Sequence, residues 1–160
     1  SSTQAVAGGD SGAVVYTLDG SAWTAVGAAP TAQNINAVWM RGEREFWVGT
    51  ADGKLYYSTD QGASWTEKTF SGSGAGVVHD ISFPTASVMY VSHATATPAG
   101  RLLRSYDGGY SLNVLPEGVG SLPANDRFTA ITACGNDANM VIGAGLADDG
   151  TDGIIIRGVD

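Results

Sequence analysis

Residues Leu55-Tyr56-Tyr57-Ser58-Thr59-Asp60-Gln61-Gly62-Ala63-Ser64-Trp65-Thr66-Glu67 form an apolar run that breaks at a polar turn and resumes on an aromatic. The core of the stretch, Ser58, Asp60, Gly62, Ser64 and Trp65, spells S-x-D-x-G-x-S-W. Each position suits a hairpin connection. A short Asp side chain accepts hydrogen bonds from the N–H groups of its own turn. Gly62 supplies a positive φ without a steric penalty. Trp65 covers the base of the hairpin with a large apolar surface. The pattern recurs: from Asp19 to Asp60 is 41 residues, to Asp107 a further 47, and to Asp160 a further 53. A period of roughly 40–50 residues with several strands per unit marks propeller blades. The copies differ in completeness. Ser105, Asp107, Gly109 and Ser111 keep the frame, with Leu112 where Trp would stand. Asp19 and Trp23 keep the aromatic but lie one residue closer together. The last copy stops at Asp160.

The intact copy resembles the Asp-box of the bacterial neuraminidase repeat family. The resemblance implies a β-propeller whose boxes mark architecture and say little about chemistry. Among Asp-box proteins the short, catalytically bare repeats look most like the photosystem II assembly factor-like group, which extends to phage structural proteins. That likeness implies a scaffold for protein–protein contact.

Read in order, the chain divides into four units of an all-β protein, with blades at about 1–28, 34–70, 76–116 and 127–160 of a single propeller segment. The second unit is complete. Its strands are Ile35 to Met40, Glu45 to Thr50, Lys54 to Ser58 and Trp65 to Phe70, with Arg41-Gly42-Glu43-Arg44 and Ala51-Asp52-Gly53 as turns. The third runs Val77 to Phe83, Val88 to His93, Arg101 to Ser105 and Ser111 to Leu115, after a Gly/Ser linker at 71–76. The first lacks its first strand and the fourth its last, which leaves about three and a half four-stranded antiparallel blades. Helical periodicity is absent, so essentially no α-helix is expected. A propeller closes with about 4–8 blades, so the ring is incomplete in one chain. End blades would expose their side faces, an aggregation hazard. A protein partner, further blades or an oligomer is therefore expected to cover them.

Composition narrows the partners. With 160 residues, 43% hydrophobic and 15% charged, the chain reads as one globular domain rather than a disordered one. A net charge of −8 argues against a nucleic-acid backbone or an anionic membrane as the partner. No apolar run approaches the ~20 residues of a membrane span. Cys134 is the only cysteine, so no intrachain disulfide forms and it reads as a small buried hydrophobe. The chain opens on Ser1-Ser2-Thr3 without a Met, which suggests processing or a piece of something longer. The residues do not fix a compartment; the phage and secreted relatives lean toward a virion or extracellular setting over the cytoplasm.

The family resemblance brings enzyme relatives. Sialidases need three arginines to grip a carboxylate, a Tyr nucleophile and an acidic partner. Of the arginines here, none stands in the Arg-Ile-Pro setting those enzymes use, and Arg104 and Arg157 directly precede box positions. Xyloglucanase-like glycosidases need two carboxylates about 5–10 Å apart. Asp80, beside His79 in an apolar strand, is the best candidate acid; turning outward or hydrogen bonding within the blade is the plainer reading. No second acid stands at the corresponding positions, near Asn36 and Thr129. His93 ends a strand before a loop and is expected to be solvated. Asp148 to Asp152 has calcium-like carboxylates without the EF-hand spacing and reads as an acidic turn. Trp39, Trp47 and Tyr56 concentrate aromatic surface that could anchor a protein or stack a sugar, although packing between blades is the plainer role. No catalytic residue, cofactor site or metal site is assigned. The sequence thus points to a non-catalytic structural or adhesion module of a larger assembly; the alternative is a carbohydrate-binding or carbohydrate-cleaving propeller fragment.

Overall fold

The structure is a computed structural model that describes residues 3–95, 100–115, 127–133, 140–147 and 152–159. It contains four antiparallel sheets, and no α-helix occurs among the described residues. Sheet 1 holds β1 (Ala5–Gly8), β2 (Val14–Thr17) and β3 (Thr24–Ala25). Sheet 2 holds β4 (Ile35–Arg41), β5 (Glu45–Thr50), β6 (Leu55–Ser58) and β7 (Thr66–Lys68). Sheet 3 holds β8 (Val77–Ser82), β9 (Met89–Ala94), β10 (Gly100–Ser105) and β11 (Asn113–Val114). Sheet 4 holds β12 (Arg127–Ala133), β13 (Met140–Leu146) and β14 (Gly153–Val159). Within each sheet the strands lie in chain order, so every connection is a hairpin. A 3₁₀ turn at Asp10–Gly12 joins β1 to β2, with Ser11 at φ 55° and its N–H on Asn34 Oδ1.

The core is not one mass but a series of seams between successive sheets. Val6, Val14 and Val26 of sheet 1 meet Ile35, Val38 and Val48 of sheet 2. The opposite face of sheet 2, with Trp47 and Leu55, meets Val78, Ile81, Met89, Val91 and Leu103 of sheet 3. Tyr90 and Leu102, on the far face of sheet 3, meet Phe128, Ile131 and Ile154 of sheet 4. Strand residues therefore alternate between the preceding and the following sheet, as period-two geometry requires. Gly49 shows how close the seams are: a Cβ built there would lie 2.8 Å from Val78 Cβ.

The innermost strands share an irregularity. Register shifts in β4, β8 and β12 skip Asn36, His79 and Thr129, one residue in each. Such bulges turn the strand locally and free an extra residue from the ladder. No composition signal announced them. The position after each bulge is Ala37, Asp80 and Ala130, so the carboxylate of Asp80 has no acidic counterpart there.

Candidate functional site

Each aspartate turn of sheets 1, 2 and 3 leads into the last strand of its sheet. Ser58 Oγ donates to Asp60 Oδ1 at 2.7 Å and accepts the Gly62 N–H at 2.8 Å. Asp60 then accepts the Ser64 N–H on Oδ1 (2.9 Å) and the Ser64 hydroxyl on Oδ2 (2.6 Å). The Asp107 turn repeats this: Ser105 Oγ lies 2.6 Å from Oδ1 and takes the Gly109 N–H at 2.9 Å, while Ser111 supplies 2.8 and 2.5 Å bonds. In the shorter first copy Thr17 replaces serine, its Oγ1 bonded to Asp19 Oδ1 (3.1 Å) and the Gly20 N–H (2.9 Å). Ser21 and Ala22 N–H groups complete that carboxylate. The three turns thus sit at matching corners of their sheets.

These donors favour the ionised carboxylates. The Ser64 hydroxyl and N–H, then the Ser58 hydroxyl, hold Asp60 at about 2. The N–H groups of Ser21 and Ala22 hold Asp19 at about 2. The Ser105 and Ser111 hydroxyls keep Asp107 well below the usual carboxylate range. A carboxylate so occupied is poorly suited to proton transfer near neutral pH.

The Asp60 and Asp107 turns also clasp the sheet before them. A Cβ on Gly62 would lie 2.6 Å from Val26 Cβ of sheet 1, and Gly62 O accepts the Ala28 N–H. Trp65 packs on the same seam and donates its Nε1–H to Ala28 O at 2.8 Å. A Cβ on Gly109 would meet the Trp47 ring of sheet 2 at 2.5 Å, and Lys68 Nζ donates to Tyr110 O. Positive φ at both glycines (78° and 93°) puts their backbone against the neighbour, which only a residue without Cβ permits.

Trp39, Trp47 and Tyr56 do not form an exposed platform. Trp47 is buried between sheets 2 and 3, stacked on Tyr57 at 5.0 Å and tilted on Phe83 at 5.5 Å. Trp39 packs on Phe83, and half-buried Tyr56 lies along the first seam with its hydroxyl on Glu67. Their large apolar area is spent on the sheet seams. The exposed aromatics are instead Trp23, Tyr106 and Tyr110, all beside aspartate turns. Arg104 stands 4.4 Å over the Tyr106 ring. A small cleft between sheets 2 and 3 runs past Arg41, Glu45, Tyr57, Lys68 and Tyr110. Arg41 and Glu45 are already paired there: Arg41 Nε lies 2.9 Å from Glu45 Oε2, and Trp47 Nε1 2.7 Å from Glu45 Oε1.

Asp80 is neither outward nor bonded only within its blade. Oδ1 accepts the Ile81 N–H and Oδ2 the Ile131 N–H of sheet 4, both at 2.8 Å. It is a tie between innermost strands, made available by the bulge at His79. Burial pushes its carboxyl up, against the pull of the two N–H groups.

His93 departs most from expectation. It is 1% exposed in β9, on the face toward sheet 2, with its Nε2–H on Ala75 O at 2.8 Å and Phe70 edge-on at 5.2 Å. The segment 71–76 folds over the strand end and excludes water. Nδ1 has no hydrogen-bond partner among the described residues, and burial pushes the imidazole pKa down. Thr50 and Asp52, a strand end and turn by sequence, form a further such corner: Thr50 Oγ1 bonds Asp52 Oδ1 at 2.5 Å and accepts the Lys54 N–H. The signal was present, since Thr50-Ala51-Asp52-Gly53 repeats the pattern of Thr17-Leu18-Asp19-Gly20. Cys134, Asp148 to Thr151 of the acidic loop, and Asp160 lie outside the described residues; Asp152 is exposed. Among the described residues no group of three or more His, Cys, Asp or Glu is placed to hold a metal, and no helix is long and apolar enough to cross a membrane.

The sheets and their order define an all-β protein with the architecture of an incomplete β-propeller. No protein-family model and no curated protein matches the sequence. Solved structures do match the fold. The GH74 xyloglucanase from Xanthomonas campestris is similar over 97% of this chain and 26% of its own, at 17% identity and a TM-score of 0.68. YCF48 from Cyanidioschyzon merolae is similar over 99% of this chain and 52% of its own, at 17% identity and a TM-score of 0.66. YCF48 bound to D1 peptide follows at 16% identity and a TM-score of 0.60, over 88% of this chain and 47% of its own. The chain thus spans about a quarter to a half of these proteins. The propeller neighbours include both glycoside hydrolases and a peptide-bound protein.

Proposed function

We infer that the chain is a non-catalytic propeller module that serves as scaffold or protein-interaction part of a larger assembly. The observation that carries this reading is the employment of its best-placed carboxylates. Asp19, Asp60 and Asp107 are saturated by their own turns, and Asp80 spends both oxygens on backbone N–H groups of two sheets. The peptide-bound YCF48 neighbour is a precedent for a propeller that holds a polypeptide. The alternative, a glycan-cleaving fragment, draws on the GH74 neighbours and would rest on Asp80 as acid. Reducing-sugar release from xyloglucan and from sialosides tests both. No turnover by the chain is expected; turnover that Asp80→Asn abolishes while the fold survives would overturn the reading.

A further inference from the structure

The residue five positions before Asp19, Asp60 and Asp107 faces the next sheet, and Ile155 holds the matching place in β14. Val14 is 3% exposed, Leu55 and Leu102 are 0%, yet Ile155 is 81% exposed. Ile155 therefore marks a seam face that no described residue covers. Its cross-strand partner is Ala144, flanked by Ile142 and Leu146. Ile142 stands where Trp47 stands in sheet 2, the residue that receives Gly109 of the following turn. Arg157 is the one charge that β13 and β14 add to this face.

Sheet 1 presents the reciprocal vacancy. Gly20 takes the place of Gly62 and Gly109 in the hydrogen bonding, but the nearest described atoms to a Cβ on it are those of Thr3, at 3.5 Å or more. Trp23 is 52% exposed, where Trp65 and Leu112 are packed on the preceding sheet. Val6, Val14 and Val26 face sheet 2, so the opposite face carries Ala5, Ala7, Val15 and Ala25, all small and uncharged. One end of the row offers protruding Ile and Leu; the other offers Ala, a free glycine turn and an unseated Trp. The joint between them would copy the seat that the Asp60 and Asp107 turns already make on the sheets before them.

We propose that two copies of this chain join head to tail, each first sheet seating its aspartate turn on the other's fourth sheet, to close one ring of eight sheets. The proposal rests on the interaction-module reading and names the partner as a second copy. The two ends are different surfaces, so the contact is heterologous. Such contacts form a ring if the rotation closes and an open filament if it does not. Eight sheets fall within the ~4–8 blades of known propellers.

Light scattering on the eluting chain at micromolar concentration is expected to give twice the 16.3 kDa of one copy. A single-copy mass, or a ladder of growing oligomers, would overturn the closed ring. Ile155→Asp and Ala25→Asp each alter an exposed residue at opposite ends, and each alone is expected to yield monomer with unchanged circular dichroism. Mixing the two restores one undamaged joint, so a heterodimer should form where neither variant dimerises. An Ala25→Asp variant that still dimerises, or a mixture that stays monomeric, would refute the head-to-tail joint. Glycan turnover is measured separately, so a failed dimer and a failed interaction reading give different results.

Discussion

Replacing Ser105 by alanine removes one buried oxygen with three partners. The side chain is 1% exposed, and its Oγ donates to Asp107 and accepts the N–H groups of Asp107 (3.2 Å) and Gly109 (2.9 Å). The carboxylate lies at the surface, where water can replace the lost donor. The Gly109 N–H is buried against the Trp47 ring and has no such substitute. Stranding a buried donor costs about 1–3 kcal/mol. In a chain of this length each kcal/mol moves Tm by roughly 2–4 °C, so a fall of about 2–12 °C is expected for Ser105→Ala. Ser111→Ala is the control: its hydroxyl reaches the same carboxylate from an exposed position, and the loss should stay within about 0.5 kcal/mol. Ser105→Thr should recover most of the stability, because Thr17 makes the same pair of bonds in sheet 1. Urea unfolding with calorimetry measures all three. If Ser105→Ala costs no more than Ser111→Ala, or threonine rescues nothing, the buried N–H is not what the turn protects.

Two further outcomes follow from titration. Asp19 and Asp60 titrate at about 2 in the fold against 3.8 for a free side chain, so protons bind the unfolded chain first. Their contribution is intact above about pH 4 and drains as pH falls toward 2; urea midpoints across this range should drop, and Asp60→Asn should drop less steeply. His93 has the opposite chemistry with the same direction of loss: its folded pKa lies below 6.5, so stability present above that value declines as pH falls beneath it. A His93→Gln variant should show a flatter midpoint profile between about pH 7 and 5; an unchanged slope would mean that His79, whose pKa burial also lowers, carries the effect.

Local signals were readable because their causes are local. Strand alternation in β5 and β9 and the Ser-x-Asp-x-Gly turns depend on residues within a few positions of one another, and the four sheets follow from them. What could not be read depends on the neighbouring sheet. Trp23 and Trp65 are the same residue in the same motif, and only the second has a sheet beneath it. His93 looked like a strand end open to water because nothing near it reveals that residues 71–76 fold back over it. Asp80 bonds a residue 51 positions away, and its reach depends on a bulge without a composition mark. The aromatics of sheet 2 were legible as a cluster, but whether that cluster faced solvent or a neighbour is a property of assembly.

The seams have a mechanical consequence. Each sheet packs chiefly on the one before and the one after, so cohesion is held in a row of joints, much as in stacked repeats. A row has two weak ends, and each end sheet is held from one side only, so loosening can begin there and travel inward one joint at a time. The tie from Asp80 to Ile131 fastens sheet 4 beside the apolar seam of Tyr90, Leu102 and Phe128. Joining the ends would leave no place for such unzipping to start.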